Sequence, residues 1–337
     1  MRVLLVHPGP EFSVSDVYRG WGEGLLACGA QVVTYDLARR LTFYDAARID
    51  GQPVADAEGA VRLAAEGLLA KAWRTRPDVA LVVHGAYVPV DVLDALRAGG
   101  VRVVLLHTES PYEDDRQLAR AGHADLNVVN DPTHLGAFQA VAPSYFQPHA
   151  YRPAVHRPGT PVPELAADVT FVGTGFPDRI ALLEAVDWSG VTLTLAGQWA
   201  GLAEGSPLRE RVVHDLDECC PPQLTAALYA SAGMSLNAYR REATRPDLVA
   251  GWAMGPREVE LAAAGVFFAR EPRPEGDELL PMLPTFTTPA ELADVIAWSM
   301  AHPDLRQDAA AQARAVVADR TFHRSADRLL REIQKEN

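Results

Sequence analysis

The stretch GPREVELAAAG (255–265) gathers an arginine and two glutamates where a helix is expected to begin. Gly255-Pro256 opens it, and Arg257, Glu258 and Glu260 fall at its N-terminal end. A cation there opposes the helix dipole, so Arg257 is expected to have another task. An anionic ligand held by Arg257 and the first backbone N–H groups would supply one. Glu260, about one turn in and followed by small residues, suits the vicinal hydroxyls of a ribose. The competing reading is a charge pair on the surface of an Ala-rich helix. A second candidate is FVGTGFPDR (171–179), where Gly173 and Gly175 lie between a strand and a helix carrying Asp178 and Arg179 in its first turn. Such a turn offers close backbone approach and an arginine that could meet a phosphate bidentately. Two glycines also occur in turns for geometry alone. The pattern lacks GxGxxG and the acidic residue about twenty positions on, which argues against a nicotinamide cofactor.

The N-terminal half places polar groups directly after its apolar runs: His7-Pro8-Gly9-Pro10, His84-Gly85-Ala86-Tyr87, His107-Thr108-Glu109-Ser110-Pro111-Tyr112 and Asn130-Asp131. Any one histidine in such a position could simply satisfy loop carbonyls. Their convergence at the ends of several strands points to a site. Glu109, beside Tyr112 and close to His107, is the best carboxylate for orienting or deprotonating a hydroxyl.

The elements that must position these residues alternate between short β-branched runs and amphipathic segments of helical length, the pattern of βαβ units around parallel sheets. Strands are expected at 2–7, 31–36, 79–84 and 101–107. Helices are expected at 14–29, with Ser13 as N-cap, at 57–75 and near 90–98, and further elements follow around 113–121, 125–130, 133–141 and 144–148. The Pro- and Gly-rich segment PHAYRPAVHRPGTPVPEL reads as a linker. A second series then offers strands at 168–175, 191–197, 211–214, 233–240 and 266–270. Its helices are expected at 178–187, 222–232, 256–264, 289–301, 303–319 and 324–335. The chain thus divides into a Rossmann-like domain over 1–150, a linker over 151–166 and a second Rossmann-like domain over 167–337, facing each other across a cleft.

Length and composition agree, since 337 residues suit two domains and 48% hydrophobic with 22% charged content is ordinary for globular proteins. The net charge of -13 argues against DNA and anionic lipid as partners. No apolar run is long enough to span a membrane and the N-terminus lacks a signal-peptide pattern, so a cytoplasmic location is expected. Cys28, Cys219 and Cys220 fit neither a zinc site nor a disulfide framework. Cys28 is placed on the apolar side of its helix and the vicinal pair is read as incidental.

Five blocks over about 168–335 resemble the C-terminal half of the CgeB-like glycosyltransferases, close to the group-1 transferases. They are DVTFVGTGFPDRIALLEAV, MSLNAYR, PREVELAAAG, PTFTTPAELADVI and HPDLRQDAAAQAR, and the preceding PHAYRPAVH is also similar. The resemblance implies the GT-B fold, two doubly wound α/β domains, and a nucleotide-diphosphate sugar, UDP- or GDP-linked, as donor. It implies transfer with retention at the anomeric carbon, no further cofactor and no metal. Glu260 is carried over as the ribose-binding glutamate and Arg257 as a catalytic residue at the departing diphosphate. Gly173, Gly175, Arg179 and Glu258 fall on the donor side, with Asn237, Tyr239, Arg240 and Arg241 of LNAYRRE as neighbours of the pyrophosphate. The group-1 pattern places another glutamate eight positions before Glu260, where this chain has Trp252. Asp215 and Asp217 form only a nominal DxD. On the acceptor side stand His7, Gly9, His84, Tyr112 and Asn130, with His107 and Glu109 as catalytic candidates. Protein, glycan and small-molecule acceptors all remain open, as does a modified DNA base, which the acidic balance disfavours. An epimerase acting on nucleotide sugars, or a binding protein for sugar nucleotides or glycans, are the rival readings.

Overall fold

A computed structural model describes residues 1–10 and 15–335. Ser13, expected to cap the first helix, lies outside the described residues. The chain forms two compact units. The first comprises Met1–Pro148, Ala243–Gly251 and the C-terminal segment from Phe322; the second comprises His149–Glu242 and Trp252–Thr321. The first unit is therefore discontinuous in sequence, which a linear division at 150 does not convey.

The first unit is built on strands β1 (Arg2–Val6), β2 (Gln31–Tyr35), β5 (Val79–Val83), β6 (Arg102–His107), β7 (Leu126–Val129) and β8 (Ser144–Phe146). A two-stranded hairpin, β3 (Arg48–Ile49) with β4 (Gln52–Pro53), interrupts the series. The six main strands pair in parallel in the order β2-β1-β5-β6-β7-β8. The order reverses between β1 and β5, so the loops after these two strands flank the switch point where such sheets bind ligands. β5 is buried at every position, which explains its unbroken VALVV run.

The helices are α1 (Ser15–Ala27), α2 (Leu37–Ala46), α3 (Ala57–Thr75), α4 (Val90–Ala98), α5 (Asp114–Ala121) and α6 (Leu135–Val141). α2 was not foreseen; Asp36 caps it by accepting the amide of Arg39. Cys28 lies beyond the end of α1 rather than on its apolar side, with its sulfur near His323. The buried face of α1 is made by Gly20, Trp21, Gly24 and Leu25 instead. A Cβ at Gly20 would lie 2.2 Å from the Phe322 ring and one at Gly24 would lie 2.2 Å from the Phe322 carbonyl oxygen.

The second unit has four parallel strands, β9 (Ala167–Val172), β10 (Leu193–Ala196), β11 (Ala232–Asn237) and β12 (Phe268–Arg270), in the order β10-β9-β11-β12. Its switch point falls between β9 and β11. Around the sheet run α7 (Pro177–Glu184), α8 (Pro222–Ser231), α9 (Pro256–Ala263), α10 (Pro274–Leu279), α11 (Pro289–Ala301) and α12 (Pro303–Val316). The last helix of the chain, α13 (Phe322–Lys335), belongs to the first unit. The strand expected at 211–214 shrinks to a single bridge between Val212 and Leu195. The His214 ring takes the edge amide of Gly197 at 2.7 Å, where a longer strand would have continued the ladder.

Candidate functional site

At the start of α9, Arg257 and Glu260 meet across one helical turn. Arg257 Nη1 donates to Glu260 Oε2 at 2.9 Å, and the two side chains keep 33% and 15% exposure. The pair is thus half-buried yet reachable. The Arg257 guanidinium also lies 5.9 Å from the centre of the Tyr229 ring, and His156 Nε2 approaches Glu260 Oε1 at 3.9 Å. Tyr229 and Glu260 partly shield the guanidinium from bulk water, and in that lower dielectric its charge acts more strongly on an anion.

Glu258, between them in sequence, turns inward and is fully buried. Its Oε2 accepts the Gly255 amide at 2.7 Å and the Tyr239 hydroxyl. Burial pushes its carboxyl up to about 7, against the pull of those donors and of Arg270 and Arg273. Tyr239 is raised by its own burial and then by the Glu258 charge. Arg273 covers the Tyr239 ring at 3.8 Å, while Glu271 takes the Tyr239 amide at 2.5 Å and pairs with Arg241 at 2.7 Å. Glu258 and Tyr239 therefore join β11 to α9 instead of facing solvent. Asn237, at the end of β11, is 5% exposed and its Nδ2 has no partner among the described residues.

The glycine turn after β9 differs from expectation. The Gly173 amide donates to Ala196 at 2.9 Å and the Gly175 amide to Gln198 at 2.7 Å, so neither is free to cradle an anion. A Cβ at Gly175 would lie 2.4 Å from the buried Trp199 ring, and one at Gly197 would lie 2.2 Å from the Gly173 carbonyl oxygen. Close packing explains these glycines. Arg179 donates from Nε to Ala238 at 2.9 Å and from Nη1 to Thr174 at 3.0 Å, with Phe171 and Phe176 beneath its guanidinium. It fastens the loops after β9 and β11 together. Asp215 and Asp217 are exposed and make a local turn, Asp217 N to Asp215 Oδ1 at 2.9 Å.

In the first unit, the loops after β1 and β5 meet at the switch point. A Cβ at Gly9, whose φ is +106°, would lie 2.4 Å from the Tyr87 ring. His7 accepts the Gly9 amide at 3.2 Å and packs edge-on against Tyr18, and burial lowers its pKa. His84, with φ of 64°, reaches Thr108 at 3.3 Å and so ties the end of β5 to that of β6.

His107 departs from its expected role. It is 1% exposed, bonded to Asn127 at 2.8 Å and packed near Phe138 at 4.9 Å between ring centres. Burial lowers its pKa to about 4, leaving a neutral core imidazole out of reach of an acceptor. Glu109 remains half-buried, its amide donating to Gln117 Oε1 at 3.3 Å. The Asn130 side chain accepts the Ser110 amide at 3.2 Å. The Tyr112 carbonyl accepts the Thr244 amide at 3.0 Å, which seats the returning segment 243–251 on this loop.

The loop also contains residues that sequence reading passed over. Asp114, 1% exposed, accepts Ser110 Oγ at 2.6 Å and Gln117 Nε2 at 3.0 Å on one oxygen, and faces His134 Nδ1 at 2.7 Å on the other. The hydroxyl-to-carboxylate spacing of four residues, followed by a histidine just after the next strand, was a usable signal.

Residues 179–331 match the family described as glycosyl transferase-like. No curated protein sequence matches the chain. Among solved structures, the chain is similar to sucrose-phosphate synthase from Thermosynechococcus elongatus, at 13% identity, 100% of each chain and a TM-score of 0.68. It is similar to a trehalose-6-phosphate structure from E. coli bound with UDP-2-fluoro glucose, at 12% identity, 98% of each chain and a TM-score of 0.62. It is also similar to a Listeria monocytogenes protein proposed to be a UDP-N-acetylglucosamine 2-epimerase, at 13% identity, 99% of this chain, 96% of that one and a TM-score of 0.61. The fold is that of the GT-B glycosyltransferases, with two Rossmann-like domains. Among the described residues no helix is long and apolar enough to cross a membrane.

Proposed function

We propose that this chain, which carries a glycosyl transferase-like domain over 179–331, moves a sugar from a nucleotide diphosphate to an acceptor hydroxyl, with retention and without a metal ion. The observation that carries the reading is the half-buried Arg257–Glu260 pair at the start of α9, inside the matched segment. Glu260 binds the ribose hydroxyls. Arg257, released from Glu260 by the ligand, neutralises the diphosphate as the bond to the anomeric carbon breaks. Stabilising charge where it develops is the largest contribution such a site can make. Asn237, with an amide donor to spare, and Arg240 extend the donor side; Tyr239 and Glu258 fix the backbone that presents it. Glu109 and the loop after β6 serve the acceptor. The E. coli relative's bound UDP-2-fluoro glucose supports a UDP-linked donor.

The test incubates the chain with UDP-glucose, UDP-N-acetylglucosamine and GDP-mannose. The acceptors are p-nitrophenyl glucoside, N-acetylglucosamine, glycerol and a serine peptide, and release of nucleoside diphosphate is scored. Acceptor-dependent release that survives EDTA is expected. Acceptor-independent conversion of the sugar nucleotide would favour the epimerase reading, which the likeness to the Listeria protein keeps in view. Donor binding with no turnover would indicate a binding protein.

A further inference from the structure

Asp114 and His134 form a dyad that none of the roles above uses. Both follow strand ends of the first sheet: Asp114 opens α5 after β6, and His134 precedes α6 after β7. The Asp114 side chain is 2% exposed while that of His134 is 30% exposed. Asp114 Oδ1 is occupied by Ser110 and Gln117, and Gln117 Nε2 also reaches Ser110 Oγ at 3.2 Å. Oδ2 is thereby aimed at His134 Nδ1. A carboxylate accepts only, so Nδ1 carries the proton and Nε2 presents a lone pair in a fixed direction. Among the described residues Nε2 makes no hydrogen bond. A buried carboxylate orienting a half-exposed imidazole is the arrangement by which proteins hold a reacting hydroxyl.

We propose that His134 Nε2 accepts a hydrogen bond from the acceptor hydroxyl, with Asp114 as its positioning residue. The proposal rests on the transfer reading above and identifies its acceptor as a group that donates a hydrogen. Burial raises the Asp114 carboxyl, and the hydrogen bonds from Ser110 and His134 act against that rise without cancelling it. A purely structural dyad tying α5 to α6 would need Nδ1 alone.

The variant that separates the two is His134→Asn, whose amide can still donate to Asp114 but cannot extend to where Nε2 stands. With the acceptors and donors named above, KM for the acceptor should rise roughly tenfold, the loss of one hydrogen bond. KM for the donor and the melting temperature should stay unchanged, and His134→Gln should recover part of the loss. Unaltered acceptor KM in His134→Asn would overturn the proposal while leaving the transfer reading intact. So would ¹⁵N spectra of the full chain showing His134 protonated at Nε2 alone. Absence of transfer with every donor and acceptor of the panel would overturn both.

Discussion

The two sheets end in loops of opposite character. In the second unit the strand-end groups are consumed internally: the glycine amides go to neighbouring carbonyls, Arg179 to Thr174 and Ala238, and Glu258 to Tyr239 and Gly255. What remains for a ligand is concentrated at Arg257, Glu260 and Asn237. In the first unit the buried polar groups form a supporting network, and the half-exposed His84, Glu109 and His134 stand on it. The family match covers Arg257, Glu260 and Asn237 of the second unit, and of the first unit only the returning segment 243–251 and part of α13. The second unit thus offers a small fixed set of polar groups, and the first a rigid buried base with half-exposed groups standing on it.

The largest expected effect is at the proposed donor site. Arg257→Ala should lower turnover by roughly 10²–10³-fold, as losing one preorganised charge-stabilising donor does elsewhere. Circular dichroism and melting should change little; near-normal turnover would remove Arg257 from the mechanism. Packing comes next. Gly197→Ala must adopt φ of +112° and meet the Gly173 carbonyl, so the second unit should lose roughly 3 kcal/mol in denaturant unfolding. A loss below about 1 kcal/mol would show that the turn can yield.

Buried titration sharpens the contrast, because the two units respond to acid with opposite sign. His107 binds its proton less readily folded, at about 4, than unfolded, at 6.5. Its neutral form therefore contributes stability above 6.5 that is lost as the pH falls through that window to about 4, on the order of 3 kcal/mol. Glu258 binds its proton more readily folded, at about 7, than unfolded, at 4.5. Its contribution is fully present below 4.5 and lost as the pH rises through about 7, again on the order of 3 kcal/mol. Amide exchange in β7 and in α9, followed from pH 4 to 7.5, should show slopes of opposite sign. His107→Gln and Glu258→Gln should each flatten the slope in its own unit, and parallel slopes in both units would break the comparison. The smallest effect belongs to Asp215 and Asp217: replacing both by Asn should leave turnover within about twofold, as expected for exposed turn charges.

Much of this fold was legible because buried parallel strands leave apolar runs and the helices between them carry clear stops. The helix expected at 57–75 forms over Ala57–Thr75, closed by Arg76 in the left-handed region. α2 was missed because its only signals were the Asp36 cap and two buried leucines, Leu37 and Leu41. The Arg257–Glu260 pair could be read from one-turn spacing alone. The fate of Gly175 could not, since it depends on Trp199, which arrives from the next strand's loop. Likewise His107 looked like an active-site histidine because the sequence shows that it ends a strand, not that Asn127 and Phe138 close over it.

The packing of α1 against α13 joins two segments that are made far apart in time during synthesis. Gly20 and Gly24 make room for Phe322, which emerges from the ribosome some three hundred residues later. Until then the first sheet lacks the helix that covers the glycine face of α1, while everything the second unit needs has already been made. The second unit can complete its core first, as domains fold progressively during translation. A nascent chain stalled before Phe322 would expose that uncovered face to chaperones.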